Sequence, residues 1–226
     1  MTVQNRKNSS LYDTVIFDLD GTLLDTLEDL KDAVNHVLKN HGFPLRSLEE
    51  VRSFVGNGMY LLMKRSAPED TPEEELNKVF QEYRQYYTSH CKINTRPYEG
   101  VIELLQTLKA QGFQVAIVSN KNDAAVKELA KDYFQGLIDV AVGQREGIQT
   151  KPAPDMVHEV MKILHTSAKT TIYVGDSEVD KATAENAALS YVLVDWGFRS
   201  KAQLQKLNPK KIISRSEELL NCLTIE

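Results

Sequence analysis

A few short apolar runs and one long stretch of helical periodicity organise this chain. The first run lies in "YDTVIFDLDGTLLDT" (Tyr12–Thr26), where Val15, Ile16 and Phe17 sit between turn residues. That pattern predicts a buried strand of a parallel sheet. From Asp25 the period changes. Leu27, Leu30, Val34, Val37 and Leu38 recur at the spacing of an amphipathic helix. Asp25 with Glu28 resembles a capping box at its start, and Gly42 can close its end. Ser47 with Glu50 repeats the start signal ahead of a run that stops at Gly56. Thr71 as N-cap and Pro72 in the first turn open another helix. Thr26 to about Cys91 therefore reads as a helical insertion. From Arg96 onward the runs "VAIVSN", "TIYVGD" and "YVLVDW" alternate with helical patterns such as Gly100–Gln111 and Asp123–Tyr133. Such alternation predicts βαβ units and a parallel sheet with helices on both faces. A lone strand cannot bury itself, so the Val15–Phe17 run joins that sheet. The expected fold class is α/β. A doubly wound parallel-sheet core of residues 1–24 and 96–226 carries an inserted α-helical cap of residues 25–95.

Composition narrows the function classes a little. The 226 residues are 42% hydrophobic and 26% charged, which suits one or two soluble globular domains. A net charge of −5 argues against a general nucleic-acid binder, because phosphate backbones select basic surfaces. Cys91 and Cys222 match no metal-ligand spacing and read as reduced thiols. "MTVQNRKNSS" has no apolar segment of the secretory type, and no stretch is apolar enough to span a bilayer. The expectation is a cytoplasmic protein with neither a nucleic-acid nor a membrane partner; nothing in the pattern sets an oligomeric state.

The chemistry lies at the ends of the apolar runs, where open parallel sheets bind their ligands. "VIF" ends in Asp18-Leu19-Asp20, "VAIV" in Ser119-Asn120-Lys121, and "TIYV" in Gly175-Asp176-Ser177-Glu178. Between the last two, "QTKPAPD" sets Lys151 ahead of Pro152 and Pro154, which favour an extended lead into a helix. Two aspartates at one strand end repel each other and lose hydration, and a bound cation offsets that cost. Carboxylates suit Mg²⁺, while a serine and a lysine suit a phosphoryl group.

"DLDGT", "SN", "KPAPD" and "GDSEVD", in that order and with a helical insertion after the first, resemble the four motifs of the haloacid dehalogenase (HAD) superfamily of phosphohydrolases. The resemblance covers most of the chain and implies a Rossmann-like core. "DTLEDL", "GNGMYLLMKRSAP" and "KPAPDMV" are most similar to phosphoglycolate phosphatases and their close relatives. By position it implies that Asp18 attacks phosphorus and becomes an aspartyl phosphate, while Asp20 protonates the leaving alkoxide and then activates water. One neighbouring carboxyl can serve as acid and then base across two displacements. The resemblance also implies Mg²⁺ held by Asp18, Asp176 and the backbone carbonyl of Asp20. Asp180 would stand behind the metal or orient Lys151. Thr22, Ser119, Asn120 and Lys151 would bind the transferring phosphoryl, and Gly21 would permit a tight turn beside it.

In the cap, Gly56, Asn57 and Gly58 precede a helical run that ends in Lys64 and Arg65. A glycine loop ahead of a helix N-terminus can approach an anion, so Gly56, Asn57, Gly58 and Arg65 are expected to select the substrate. Tyr83, Tyr86 and Tyr87 read as cap packing, Trp196 as loop packing, and the five histidines as structural or solvated. The expected activity is hydrolysis of a small phosphate monoester. A sugar phosphomutase or a pyrophosphatase of the same superfamily is the enzymatic alternative, with Gly175 ahead of Asp176 favouring hydrolysis over the mutase. A phosphoaspartate signalling module is the non-enzymatic one, although its acidic pair and phosphoaspartate occupy different strands and it has no cap.

Overall fold

The computed structural model describes residues 10–224; the polar start of the chain, read above for a leader segment, lies almost wholly outside them. Six strands form one sheet in the order β5-β4-β1-β6-β7-β8, with every neighbouring pair parallel. They are β1 (Thr14–Phe17), β4 (Gln114–Asn122), β5 (Val140–Gln144), β6 (Thr171–Gly175), β7 (Ser190–Val194) and β8 (Ile212–Ile213). The first apolar run of the chain is thus the central strand. Val15 pairs with Val115 on one side and Ile172 on the other. Its alternating residues point to opposite faces, as a period of two requires. Val15 and Phe17 join a core closed by α5 (Val101–Ala110) and α6 (Asp123–Phe134). Ile16 joins a second core closed by α7 (Asp155–Leu164) and α8 (Glu178–Asn186). The short α9 (Lys201–Gln205) and α10 (Leu219–Cys222) complete this part of the chain.

Between β1 and β4 four helices build a separate apolar cluster: α1 (Leu27–Asn40), α2 (Leu48–Phe54), α3 (Met59–Ser66) and α4 (Glu73–His90). The chain leaves and re-enters the sheet side by side. Leu24–Asp25 (β2) and Arg96–Pro97 (β3) pair antiparallel as a two-residue ribbon. Asp29 then ties the returning chain to α1, because its buried carboxylate accepts from the N–H groups of Asn94 and Thr95 and from both their side chains.

Two start signals differ from expectation. Helix α1 begins at Leu27 with Thr26 as an N-cap that makes no side-chain bond, so the Asp25–Glu28 box does not form. Asp25 is held instead in the ribbon, opposite Arg96. Helix α4 begins at Glu73 with Pro72 as N-cap, since the Thr71 hydroxyl turns back to the Pro68 carbonyl. The Ser47–Glu50 box forms as its spacing predicts.

Candidate active site

The carboxyl ends of β1, β4 and β6 and the loop before α7 meet beneath the helical insertion. Asp18 follows β1 and is 8% exposed. Its Oδ1 accepts from the Leu19 N–H at 2.7 Å and lies 2.8 Å from Lys151 Nζ. Oδ2 takes no hydrogen bond from the described residues and is the free edge of the carboxylate. Two residues on, past one inward-packed leucine, Asp20 Oδ1 accepts from Lys121 Nζ at 2.7 Å. Gly21 then turns the chain with a φ of +84°.

Lys151 is almost wholly buried. Its ammonium also reaches Asp180 Oδ1 at 2.8 Å and the Tyr173 hydroxyl at 3.2 Å. Asp180 is engaged on both oxygens, because Oδ2 accepts from Asp176 N, Ser177 N and Ser177 Oγ in the capping box that starts α8. This clasp explains Gly175, where a Cβ would lie 2.3 Å from Asp180 Cβ. Asp176 Oδ2 accepts from the Phe198 N–H at 2.7 Å.

Burial pushes the Asp18 carboxyl up to about 7 against the pull of Lys151, with Asp180 and Asp20 adding to the rise. Burial, then Asp180 and Asp18, hold Asp176 well above the usual carboxylate range. Desolvation works against the charge on Lys151, but Asp18 and Asp180 outweigh it and keep its pKa well above the ordinary lysine value. Asp18, Asp20, Asp176 and Asp180 thus face two ammonium groups, Lys121 and Lys151. Full ionisation leaves an excess of negative charge that a divalent cation would balance. Oxygens of Asp18, Asp176 and Asp180 all lie within 4.8 Å of one another and could hold a metal ion. Since the lone pairs of Asp180 are already taken, Asp18 and Asp176 are the better donors. Asp180 holds Lys151.

A cavity of about 60 Å³ opens onto Asp18, Asp20, Ser119, Lys151 and Asp176, roofed by Leu30, Val55, Gly56, Gly58, Met59 and Leu62 of the helical insertion. The expected site residues are not all brought to it in the same way. Ser119 lines it, as does Asn120. The Asn120 amide, however, clasps the backbone N–H and C=O of Lys151 and donates to the Gly56 carbonyl, so this side chain braces the site. Thr22 is buried, its hydroxyl without a partner among the described residues. Asn57 is not among the lining residues. Arg65 lies outside, its guanidinium bonded to the Phe54 carbonyl.

The sequence profile of the haloacid dehalogenase-like hydrolases matches residues 15–194. The chain belongs to that family. Among its HAD relatives is the phosphoglycolate phosphatase of Cereibacter sphaeroides, 34% identical over 213 residues, 92% of this chain and 96% of that one. The phosphoglycolate phosphatase of Rhodobacter capsulatus is 35% identical over 193 residues, 82% of this chain and 85% of that one. A crystal structure from Lactobacillus delbrueckii subsp. bulgaricus, provisionally named a phosphoglycolate phosphatase, superposes with a TM-score of 0.91. Its identity is 34%, covering 96% of this chain and 100% of that one. These likenesses, with the HAD fold, make the protein a phosphoric monoester hydrolase similar to phosphoglycolate phosphatases and set the signalling-module alternative aside. Among the described residues no helix is long and apolar enough to cross a membrane.

Four further residues reach this HAD site: Lys121, which the strand-end pattern names without a role, and Tyr87, Phe198 and Arg199. Lys121 continues β4 two positions past Ser119, and that alternation was the available signal. Its ammonium also donates to the Tyr87 hydroxyl at 2.8 Å, so Tyr87 reaches the site as well as packing α4. Phe198 and Arg199 follow β7, whose apolar run ends in Asp195 and Trp196 and carries no charged pair next to the strand to mark them.

Proposed function

We propose that the protein is a Mg²⁺-dependent phosphatase of a small phosphate monoester, phosphoglycolate or a near analogue, acting through an aspartyl phosphate on Asp18. The observation that carries this reading is the half-engaged Asp18 carboxylate. One oxygen is fixed by Leu19 and Lys151, and the other is free at a roofed cavity with Asp20 close by. A fixed, oriented nucleophile lowers the cost of reaching in-line geometry.

In the first displacement, Asp18 Oδ2 bonds to phosphorus as the ester P–O bond breaks, and Asp20 gives its proton to the departing alkoxide. In the second, Asp20 takes a proton from water, whose oxygen attacks phosphorus and frees Asp18 with inorganic phosphate. Lys151 and Ser119 stabilise charge on the equatorial oxygens in both. Asp18 and Asp176, with the Asp20 carbonyl, would hold the magnesium ion. When bound, it neutralises charge on the phosphoryl and on the carboxylates around it. The donor set fits, being all oxygen, buried and in excess of the cations that face it.

The small cavity favours a substrate with little beyond its phosphate. At about 60 Å³ it is well under the roughly 300–1,000 Å³ of sites that take larger ligands. Phosphate release across a panel of monoesters, each with Mg²⁺ and with EDTA, tests the reading. Two-carbon and three-carbon acid phosphates should be preferred, and EDTA should abolish turnover. Preference for nucleotides or inorganic pyrophosphate, or full turnover in EDTA, would contradict it.

A further inference from the structure

The loop after β7 touches the turn behind Asp18, the start of α8 and the helical insertion. Trp196 Nε1 donates to the Thr22 carbonyl in the turn behind Asp18 and Asp20, at 3.1 Å. Gly197 packs against that same turn, where a Cβ would lie 2.1 Å from the Gly21 carbonyl oxygen and 2.5 Å from Asp176 Cβ. The Phe198 N–H donates to Asp176, yet its ring belongs to the apolar cluster of helices α1–α4. Arg199 Nη2 donates to the Val55 carbonyl at 2.9 Å and Nη1 to the Arg52 carbonyl at 3.1 Å, at the end of α2. Carbonyls at a helix C-terminus have no intrahelical partner, so a guanidinium satisfies them well. The same guanidinium pairs with both Glu178 oxygens at 2.9 Å, at the first residue of α8 and two positions from Asp176.

We propose that Phe198 and Arg199 are positioning residues that make the orientation of Asp176, and so metal affinity, depend on closure of the helical insertion over the core. The physical link is short. If the insertion lifts, Phe198 either follows its apolar cluster or loses it, and Arg199 loses the Val55 and Arg52 carbonyls. In the first case the Phe198 N–H is drawn off Asp176 Oδ2; in the second it keeps only the Trp196 and Gly197 contacts to hold it there. Donors behind a metal ligand fix its orientation and raise its affinity. A site that completes its metal geometry only when roofed keeps the reactive phosphoryl away from bulk water. The coupling is reciprocal, so metal binding favours closure.

This inference rests on Asp176 as a metal ligand, and the test separates the two. Metal-stripped full-length protein is titrated with Mn²⁺ by calorimetry. Asp176→Asn should abolish the tight site. Phe198→Ala and Arg199→Met should raise Kd about 10–100-fold, with Arg199→Lys, which keeps a donor, affected less. A role confined to packing would not move metal affinity in a folded variant. If Asp176→Asn loses the site while Phe198→Ala and Arg199→Met bind within about twofold of wild type, the coupling is wrong and the metal assignment stands. If Asp176→Asn binds like wild type, the metal assignment falls and takes the coupling with it. Should Phe198→Ala show no cooperative thermal transition, Phe198→Leu and Arg199→Met decide the question.

Discussion

Two lysines divide the labour at the site, and their surroundings say how. Lys151 sits between Asp18 and Asp180 with almost no access to water, so removing it strands two buried carboxylates. Breaking such a group by deleting one partner costs about 3–5 kcal/mol of stability. If Lys151 is also the proposed donor to the transferring phosphoryl, its loss adds about 2.7–4 kcal/mol at the transition state. Lys151→Ala is therefore expected to lower the thermal midpoint and to cut kcat/KM about 10²–10³-fold at temperatures where the variant is still folded. A normal kcat/KM in the folded variant would leave Lys151 a structural residue only. Lys121 is different, because it holds Asp20, the proposed proton donor, and Tyr87 holds Lys121. Lys121→Met frees Asp20 from that position. The first displacement needs the proton most when the leaving group is a poor one, and general acid catalysis contributes about 10²–10⁴-fold. The variant should lose kcat/KM on alkyl phosphates by about 10²-fold and far less on p-nitrophenyl phosphate, whose phenolate leaves readily. Equal losses on both esters would place Lys121 outside the proton-transfer step.

At the scale of elements, the loop ahead of α3 puts Gly56 and Gly58 into the wall of the cavity that also holds Asp18 and Asp20. Gly58, its N-cap, has a φ of +87° that a β-branched residue scarcely adopts, while a Cβ there meets nothing closer than 3.8 Å. Gly58→Val thus strains the loop through its backbone, since the first added carbon alone meets no clash. It should cut kcat/KM for a native small ester and spare p-nitrophenyl phosphate, which offers the loop nothing to hold. Equal effects would make the loop a hinge. How much of this was legible follows from how each element is encoded. The central strand, the Ser47–Glu50 box and the three strand ends with Asp18, Ser119 and Asp176 are written in local pattern, so they could be read. Strand β5 is a short run broken by Gly143, whose Cβ would strike the Lys121 carbonyl at 2.6 Å. Strands β2, β3 and β8 have two residues each, too short for any period, and exist only because the tertiary fold aligns them with a neighbour. Arg65 pointed to the site by charge and spacing, but α3 turns it outward to the Phe54 carbonyl. Phe198 serves Asp176 through its backbone N–H, a donor that every residue but proline has, so no side-chain pattern marks it.

For the molecule as a whole, the crowded carboxylates tie stability to pH. Burial raises Asp18 from 3.8 to about 7 and raises Asp176 in the same sense. Below pH 3.8 both groups carry protons whether the chain is folded or not, and folding is not penalised. Above it the unfolded chain releases a proton that the folded state retains, so the folded state binds more protons and stability falls as pH rises. For Asp18 that loss runs to about pH 7, where the folded carboxyl also ionises and the slope ends. Each unit of difference is worth about 1.4 kcal/mol. The thermal midpoint of metal-stripped protein should therefore decline between about pH 4 and pH 7, beyond any trend in a variant with Asp18→Asn. On the proposed function magnesium needs the same oxygens deprotonated, so it would compete with protons and stabilise by binding only the folded state. At fixed Mg²⁺ the gain in midpoint should be small at pH 5 and large at pH 8, and it should vanish in Asp176→Asn at both. Scanning calorimetry at a few pH values, with Mg²⁺ and with EDTA, makes the comparison. A gain of the same size at pH 5 and pH 8 would mean that the bound ion does not draw on these carboxylates. The charge balance of the site would then have to be met by the two lysines alone.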